Sequence, residues 1–167
     1  MANAHDVAAY ILSRRGQTSA MKLQKLVYYS QAWHLVWADS PLFPERIEAW
    51  ANGPVIRELY DAHRGKFAVD QWPLGDPDNL NAAERGTIDA VLDNYGHLDA
   101  RQLSHLTHGE DPWINARHGL PPTARSDAEI TTEVMAEYYS TIDTAEDAVP
   151  VDELPWGDWA SDSAAYR

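Results

Sequence analysis

The sequence predicts a mainly α-helical fold, a compact helical bundle carrying a small β-hairpin or short strands. Three observations lead there. The stretch MKLQKLVYYSQAWHLVW sets Leu23, Leu26, Val27, Ser30, His34 and Trp37 at helical spacing, and Tyr29, Trp33 and Val36 cover a second side. A helix apolar on two sides belongs in the middle of a bundle. Further segments repeat apolar residues at three and four between capping residues and glycine or proline stops, whereas only ERIEAW shows the period of two of a half-buried strand.

Taken in order, Asp6 to Arg15 places Val7, Tyr10 and Ile11 on one face and stops at Gly16. Thr18 or Ser19 caps the long central helix. Pro41 and Pro44 punctuate a loop before the strand ending at Trp50, and Asn52-Gly53 turns the chain. Pro54 is expected at the first position of the next helix, where its missing N–H costs nothing, with Val55, Ile56, Leu59 and Tyr60 as its buried side. Residues 66 to 80, containing Trp72, Pro73, Gly75 and Pro77, read as an irregular loop with one extended piece around Phe67-Ala68-Val69. Asn81 and Glu84 have capping-box spacing ahead of Ile88, Val91, Leu92 and Tyr95. Asp99 caps a helix through Leu103, Leu106 and Thr107, and Asp111 is expected to cap a short one that begins at Pro112. Ser126 and Glu129 repeat the capping-box spacing before Ile130, Val134, Tyr138 and Ile142. Residues 1–142 therefore read as one helical domain. Residues 143–167 hold seven acids, one Arg, two prolines and two tryptophans without sustained period, and read as an acidic tail.

Composition excludes several classes of function. The chain has no cysteine, which removes disulfides and thiolate metal sites and leaves the cytoplasm as the expected compartment. No apolar run approaches the roughly 18 residues that span a bilayer, and the N-terminus lacks the pattern of a signal peptide, so no membrane partner is expected. The net charge of -13 is uneven: residues 1–66 sum to +2 and residues 67–167 to -15. An acidic two-thirds repels phosphate, so DNA or RNA is a poor partner and a basic protein a better one. Seven Trp and eight Tyr against two Phe give most aromatic rings a polar handle, which suits surfaces that meet a partner.

The residues with chemical potential cluster in LSHLTHGEDPW. His105 and His108 lie one helical turn apart, but His97 and His118 fall beyond helix breaks and no HExxH or HxH pattern occurs, so converging metal ligands are not indicated. Glu110 and Asp111 could serve proton transfer with His108, and a metal-dependent or acid–base enzyme built on His105, His108 and Glu110 is the rival reading. No nucleophile elbow, P-loop or dinucleotide fingerprint supports an enzyme, and no cofactor is implied. Trp156 and Trp159 differ from the other aromatics in standing within the acidic tail. Either they anchor a partner there while the acids steer toward a basic surface, or the tail packs back on its own domain.

Three stretches in order, K-L-Q-K-L-x-Y-Y-x-Q-x-W from Lys22, I-E-A-W-x-x-G-P-V from Ile47 and T-H-x-E-x-P-W from Thr107, resemble the Panacea domain of SocA-like and phage-associated GepA-like proteins. The resemblance runs from about Val7 to Ile142. It implies a cytoplasmic, mainly α-helical antitoxin of a toxin–antitoxin pair that neutralises a cognate protein toxin by direct contact, without cofactor or catalysis. One subgroup also delivers its toxin to a AAA+ protease, a role that no residue of this chain indicates by itself. The motif positions Trp50, Gly53, Pro54, Thr107, His108, Pro112 and Trp113 are expected to be scaffold, with Thr107 and His108 fixing the turn before Pro112. Toxin contact is expected at exposed aromatics amid acid: Trp72 in the irregular loop, and Trp156, Asp158 and Trp159 in the tail.

Overall fold

A computed structural model describes residues 2–143. It contains α1 (Ala4–Arg15), β1 (Thr18–Ser19), α2 (Ala20–Trp37), β2 (Ile47–Trp50), β3 (Gly53–Val55), α3 (Arg57–His63), β4 (Ala68–Val69), α4 (Ala82–Tyr95), α5 (Ala100–His108), α6 (Asp111–Ala116), β5 (Glu129–Ile130) and α7 (Thr132–Asp143). The mainly helical expectation holds. The strands form two small antiparallel sheets, β1 with β4 and a three-stranded sheet in the order β3-β2-β5.

Helix α2 is the axis of the domain. Every residue from Leu23 to Leu35 is buried, and α1, α4, α5, α7 and β3 pack around it. A helix enclosed on all sides must satisfy its own polar side chains, because a buried unpaired donor or acceptor costs about 1–3 kcal/mol. Two glutamines seven residues apart do so by the same device. The Gln24 amide accepts from the Ile56 N–H at 2.9 Å and donates to the Ile56 carbonyl at 3.1 Å. Gln31 accepts from the Leu42 N–H at 2.7 Å and donates to the Phe43 carbonyl at 2.9 Å. Each side-chain amide thus stands in for a strand partner and fastens an irregular segment to the axis. His34 meets the Thr87 hydroxyl at 2.8 Å and ties α2 to α4.

Local sequence signals set most helix starts. Asn3, Asn81 and Asp99 each form a complete capping box, with Asp6, Glu84 and Gln102 closing back on the cap, and Ser19 caps α2. Three expectations need correction. Pro54 lies in β3, and α3 starts only at Arg57, because residues 53–55 pair with Glu48, Ala49 and Trp50 before the chain can coil. Asp111 is the first residue of α6, and its neighbour Glu110 takes the cap position without a capping hydrogen bond. Ser126 and Glu129 form no capping box. Glu129–Ile130 pairs with β2, and the Thr131 hydroxyl accepts from the Val134 N–H at the start of α7. That shift turns Met135 and Tyr139 into the core and leaves Val134 exposed.

The loop after α3 is anchored as well. The buried Asp6 carboxylate accepts from the Asp76 N–H at 2.8 Å. Gly75 passes so close to α1 that a Cβ there would lie 1.9 Å from the His5 carbonyl oxygen. Trp72 is buried rather than exposed, its indole donating to His5 Nδ1 at 3.0 Å and stacking on that ring. The exposed apolar side chains of the loop are Phe67 and Leu74, at 87% and 63%. Trp72 therefore loses its basis as a surface anchor.

Candidate functional site

The β2–β3 hairpin is held by side chains delivered from α5, α6 and the turn that follows. Four successive carbonyls each receive one donor. Arg117 Nη1 reaches the Ala49 oxygen, Trp113 Nε1 the Trp50 oxygen, His108 Nε2 the Ala51 oxygen and Ser104 Oγ the Asn52 oxygen, all at 2.8 Å. These side-chain donors reach the end of β2 and the turn, in addition to the pairing of Trp50 with Gly53. The donors also brace one another. The Trp113 ring lies 4.0 Å from the His108 ring, and the Arg117 guanidinium sits 4.8 Å over the Trp113 face.

The motif residues meet at this hairpin. Gly53 has φ +112°, and a Cβ there would fall 2.6 Å from Lys25 Cε and 3.0 Å from Thr107 Oγ1, so the chain requires glycine on two counts. Pro112 and Trp113 are buried, and Thr107 donates its hydroxyl to the Ser104 carbonyl at 2.8 Å. Both ring nitrogens of His108 face carbonyl oxygens, those of Ser104 and Ala51. Burial pulls the His108 pKa down while these two acceptors push it up, with a net lowering. The imidazole is a clamp between α5 and the hairpin.

Two buried ionisable groups flank the scaffold. Lys25 is fully buried, with the Met21 sulfur at 3.2 Å and the Pro54 carbonyl at 3.3 Å from its Nζ, and burial lowers its pKa to about 7. Glu110 accepts from the Tyr29 and Tyr139 hydroxyls at 2.7 and 2.8 Å, and Tyr28 meets Tyr139 at 3.0 Å. Burial raises the Glu110 pKa to about 7, against the lowering effect of the two hydroxyls. The Tyr29 ring stacks on Tyr95 at 4.2 Å, and Tyr95 accepts from the Trp33 indole. One carboxyl thus joins α2, α4 and α7 through tyrosines.

Two of the three residues of the enzyme reading, His108 and Glu110, hold different partners. His108 binds backbone, and Glu110 binds tyrosines in the core. Among the described residues no group of three His, Asp or Glu side chains is placed to hold a metal ion.

The outer side of the same hairpin is open. A groove of about 590 Å³ is lined by Trp50, Ala51 and Asn52 of the hairpin, by α3 and Arg64, and by residues 125–127. Trp50 and Tyr60 form an edge-to-face pair at 4.8 Å on its wall, and the Arg57 guanidinium lies 5.4 Å over the Trp50 ring. Arg57 is committed to Glu48 at 2.8 Å, which also accepts from the Trp50 indole at 2.9 Å. Burial pushes the Glu48 carboxyl up, yet the hydrogen bonds from Arg57 and Trp50 outweigh it and leave its pKa below the usual value. Trp50 therefore serves both roles, its carbonyl bound by the scaffold and its ring offered to the groove.

The motif spacing includes Gln24, Lys25 and Gln31 without revealing their buried roles, and Ser104 and Arg117 stand outside the motifs. Arg117 directly follows the helix of the T-H-x-E-x-P-W motif, four residues after Trp113, and that spacing is the available signal. Trp156, Asp158 and Trp159 lie outside the described residues. No helix among the described residues is long and apolar enough to cross a membrane.

No curated protein and no solved structure matches the chain. The family profile described as antitoxin SocA-like, Panacea domain, matches residues 23–114, from the second residue of the K-L-Q-K-L motif to the residue after Trp113. That span holds α2 from Leu23 onward, the hairpin and three of its four clamping side chains. The chain belongs to the SocA-like antitoxin family that carries the Panacea domain.

Proposed function

We propose that this protein neutralises a protein toxin by direct binding and that it does so without catalysis. The observation that supports this most is the fate of its reactive side chains. His108, Glu110 and Lys25 are engaged in contacts that hold elements together. Among the described residues, what the chain offers outward is the aromatic and charged groove beside Trp50, and the sequence adds Trp156, Asp158 and Trp159 in the acidic tail. With Trp72 packed on His5, the tail aromatics are the stronger candidates for anchoring the toxin, and the tail acids would steer it.

The experiment is co-expression with the product of the neighbouring reading frame, followed by affinity measurement. The intact chain should restore growth, and Trp156→Ala/Trp159→Ala should weaken toxin binding by at least tenfold. Unchanged affinity in that variant discards the tail as the contact. A neighbouring product that is harmless when expressed alone discards the antitoxin reading for this pair.

A further inference from the structure

We infer that the groove between the β2–β3 hairpin and α3 is a docking site for this chain's own acidic tail, residues 152–159, in the protein free of toxin. The inference extends the proposed function, because it gives the tail tryptophans a second binding surface with which a toxin must compete. Three observations carry it.

The groove has unused cationic capacity. Arg57 is held by Glu48, but among the described residues no carboxylate lies within ion-pair distance of Arg64 or Arg125, although Asp61 and Asp127 share the walls. Both arginines are exposed and stand at different parts of the lining, one after α3 and the other ahead of β5. On a chain of net charge -13 such a place attracts its own acidic segment.

The segment fits the lining. VDELPWGDW alternates acids with two indoles, so Asp152, Glu153 and Asp158 can meet Arg64 and Arg125 while an indole packs on the Trp50–Tyr60 pair. A cavity of about 590 Å³ accommodates one such ring with its neighbouring backbone.

The segment also reaches. Helix α7 has 12 residues and is about 18 Å long, and its first turn follows directly on β5 and the groove residues 125–127. Asp143 therefore stands about one helix length from the groove. The nine to sixteen residues from Asp143 to positions 152–159 span up to roughly 30–50 Å when extended, enough to return along α7. A tether of that length gives the tail an effective concentration near the millimolar range, so even weak contacts fill the groove.

Because the natural chain has no cysteine, introduced pairs report contact directly. In the full chain, Asp61→Cys/Ala160→Cys should form an intrachain disulfide at least tenfold faster than Asp93→Cys/Ala160→Cys, whose helix-α4 position does not line the groove. Adding Arg64→Glu/Arg125→Glu, or Trp156→Ala/Trp159→Ala, should remove the advantage. So should raising the salt concentration to about 0.5 M, to a smaller extent. The second pair of substitutions lies in the tail and leaves every described contact of the core intact. Equal rates at the two positions overturn the inference, as do disulfides formed only between two chains. Rates indifferent to both sets of substitutions also overturn it. If the toxin, and not the tail, is the groove's ligand, the free protein shows no advantage and the toxin alone shields the thiol introduced by Asp61→Cys. The measurement is made on the antitoxin alone, so its failure leaves toxin neutralisation to the co-expression result.

Discussion

Trp113 donates its indole N–H to the carbonyl oxygen of Trp50 at 2.8 Å, and the ring of that same Trp50 lines the groove on the other side of the hairpin. The buried motif and the open surface are thus two faces of one short strand. Any substitution that loosens the inner face should be felt on the outer one.

Trp113→Phe keeps most of the ring and removes the donor. The Trp50 carbonyl then keeps its pairing with Gly53 but loses the indole, while the packing against His108 and Arg117 is largely retained. A loss of about 1–2 kcal/mol in urea unfolding is expected. Hydrogen exchange at residues 50–53 should rise with it. A loss below about 0.3 kcal/mol, with exchange unaltered, would mean that the indole N–H does not support the hairpin.

Gly53→Ala should cost about 2–3 kcal/mol, from a backbone at φ +112° together with contact against Lys25 Cε. The two causes separate in a double-mutant cycle. In a Lys25→Ala background the contact with Lys25 disappears and that with Thr107 Oγ1 stays, so the cost of Gly53→Ala should fall by about 1 kcal/mol. Additivity within error would show that Lys25 gives way freely and that the cost comes from the backbone and Thr107.

Helix starts are legible in the sequence where their signals are local: Ser19, Asn81 and Asp99 need only the residues three positions on, whereas the Asn3 cap of α1 lies ahead of the start read at Asp6. The hairpin is legible too, from the alternation in ERIEAW and the turn at Asn52-Gly53. Pro54 misleads because strand pairing with Ala49 overrides its fitness for a helix start, and Ser126 misleads because Ile130 finds its partner at Ile47, far back in the chain. Trp72 looks like surface because nothing near it in sequence could bury it, and His5 does so from α1. The clamping of the hairpin is foreseeable only in part, since Ser104 and Arg117 act through contacts 52 and 68 residues distant in the chain. Arg117 is signalled only by its spacing from Trp113, which does not name the Ala49 carbonyl as its partner, and Ser104 carries no comparable signal.

Gln24 and Gln31 give a third prediction. Replacing either by leucine preserves bulk but strands a backbone N–H and a carbonyl in the core, Ile56 for the first and Leu42 with Phe43 for the second. Each should cost about 2–4 kcal/mol. Gln17→Leu, at an exposed position between α1 and β1, should lie within about 0.5 kcal/mol of the parent. Equal effects at positions 17 and 24 would contradict the clamping role.

Glu110 and Lys25 make stability depend on pH in opposite directions. Glu110 is raised from 4.5 to about 7, so the folded state binds the extra proton between those values and stability falls as pH rises through that window. Lys25 is lowered from 10.5 to about 7, so the unfolded state binds the extra proton between 7 and 10.5 and stability rises with pH there. The two contributions meet in a minimum near pH 7. His34, His63 and His108, all lowered by burial from 6.5, add stability with rising pH below that value and partly mask the Glu110 limb, so the comparison must be between variants. Glu110→Gln keeps an acceptor for Tyr29 and Tyr139 without the charge. Relative to this variant, the parent should lose roughly 3 kcal/mol between about pH 4.5 and 7.5 and then stay level. Relative to Lys25→Met, the parent should gain stability from about pH 7 upward and be level below it. Urea unfolding from about pH 4.5 to 9 reads both differences, and a Glu110→Gln gap that is constant across the range would show that the buried carboxyl titrates as it does in water.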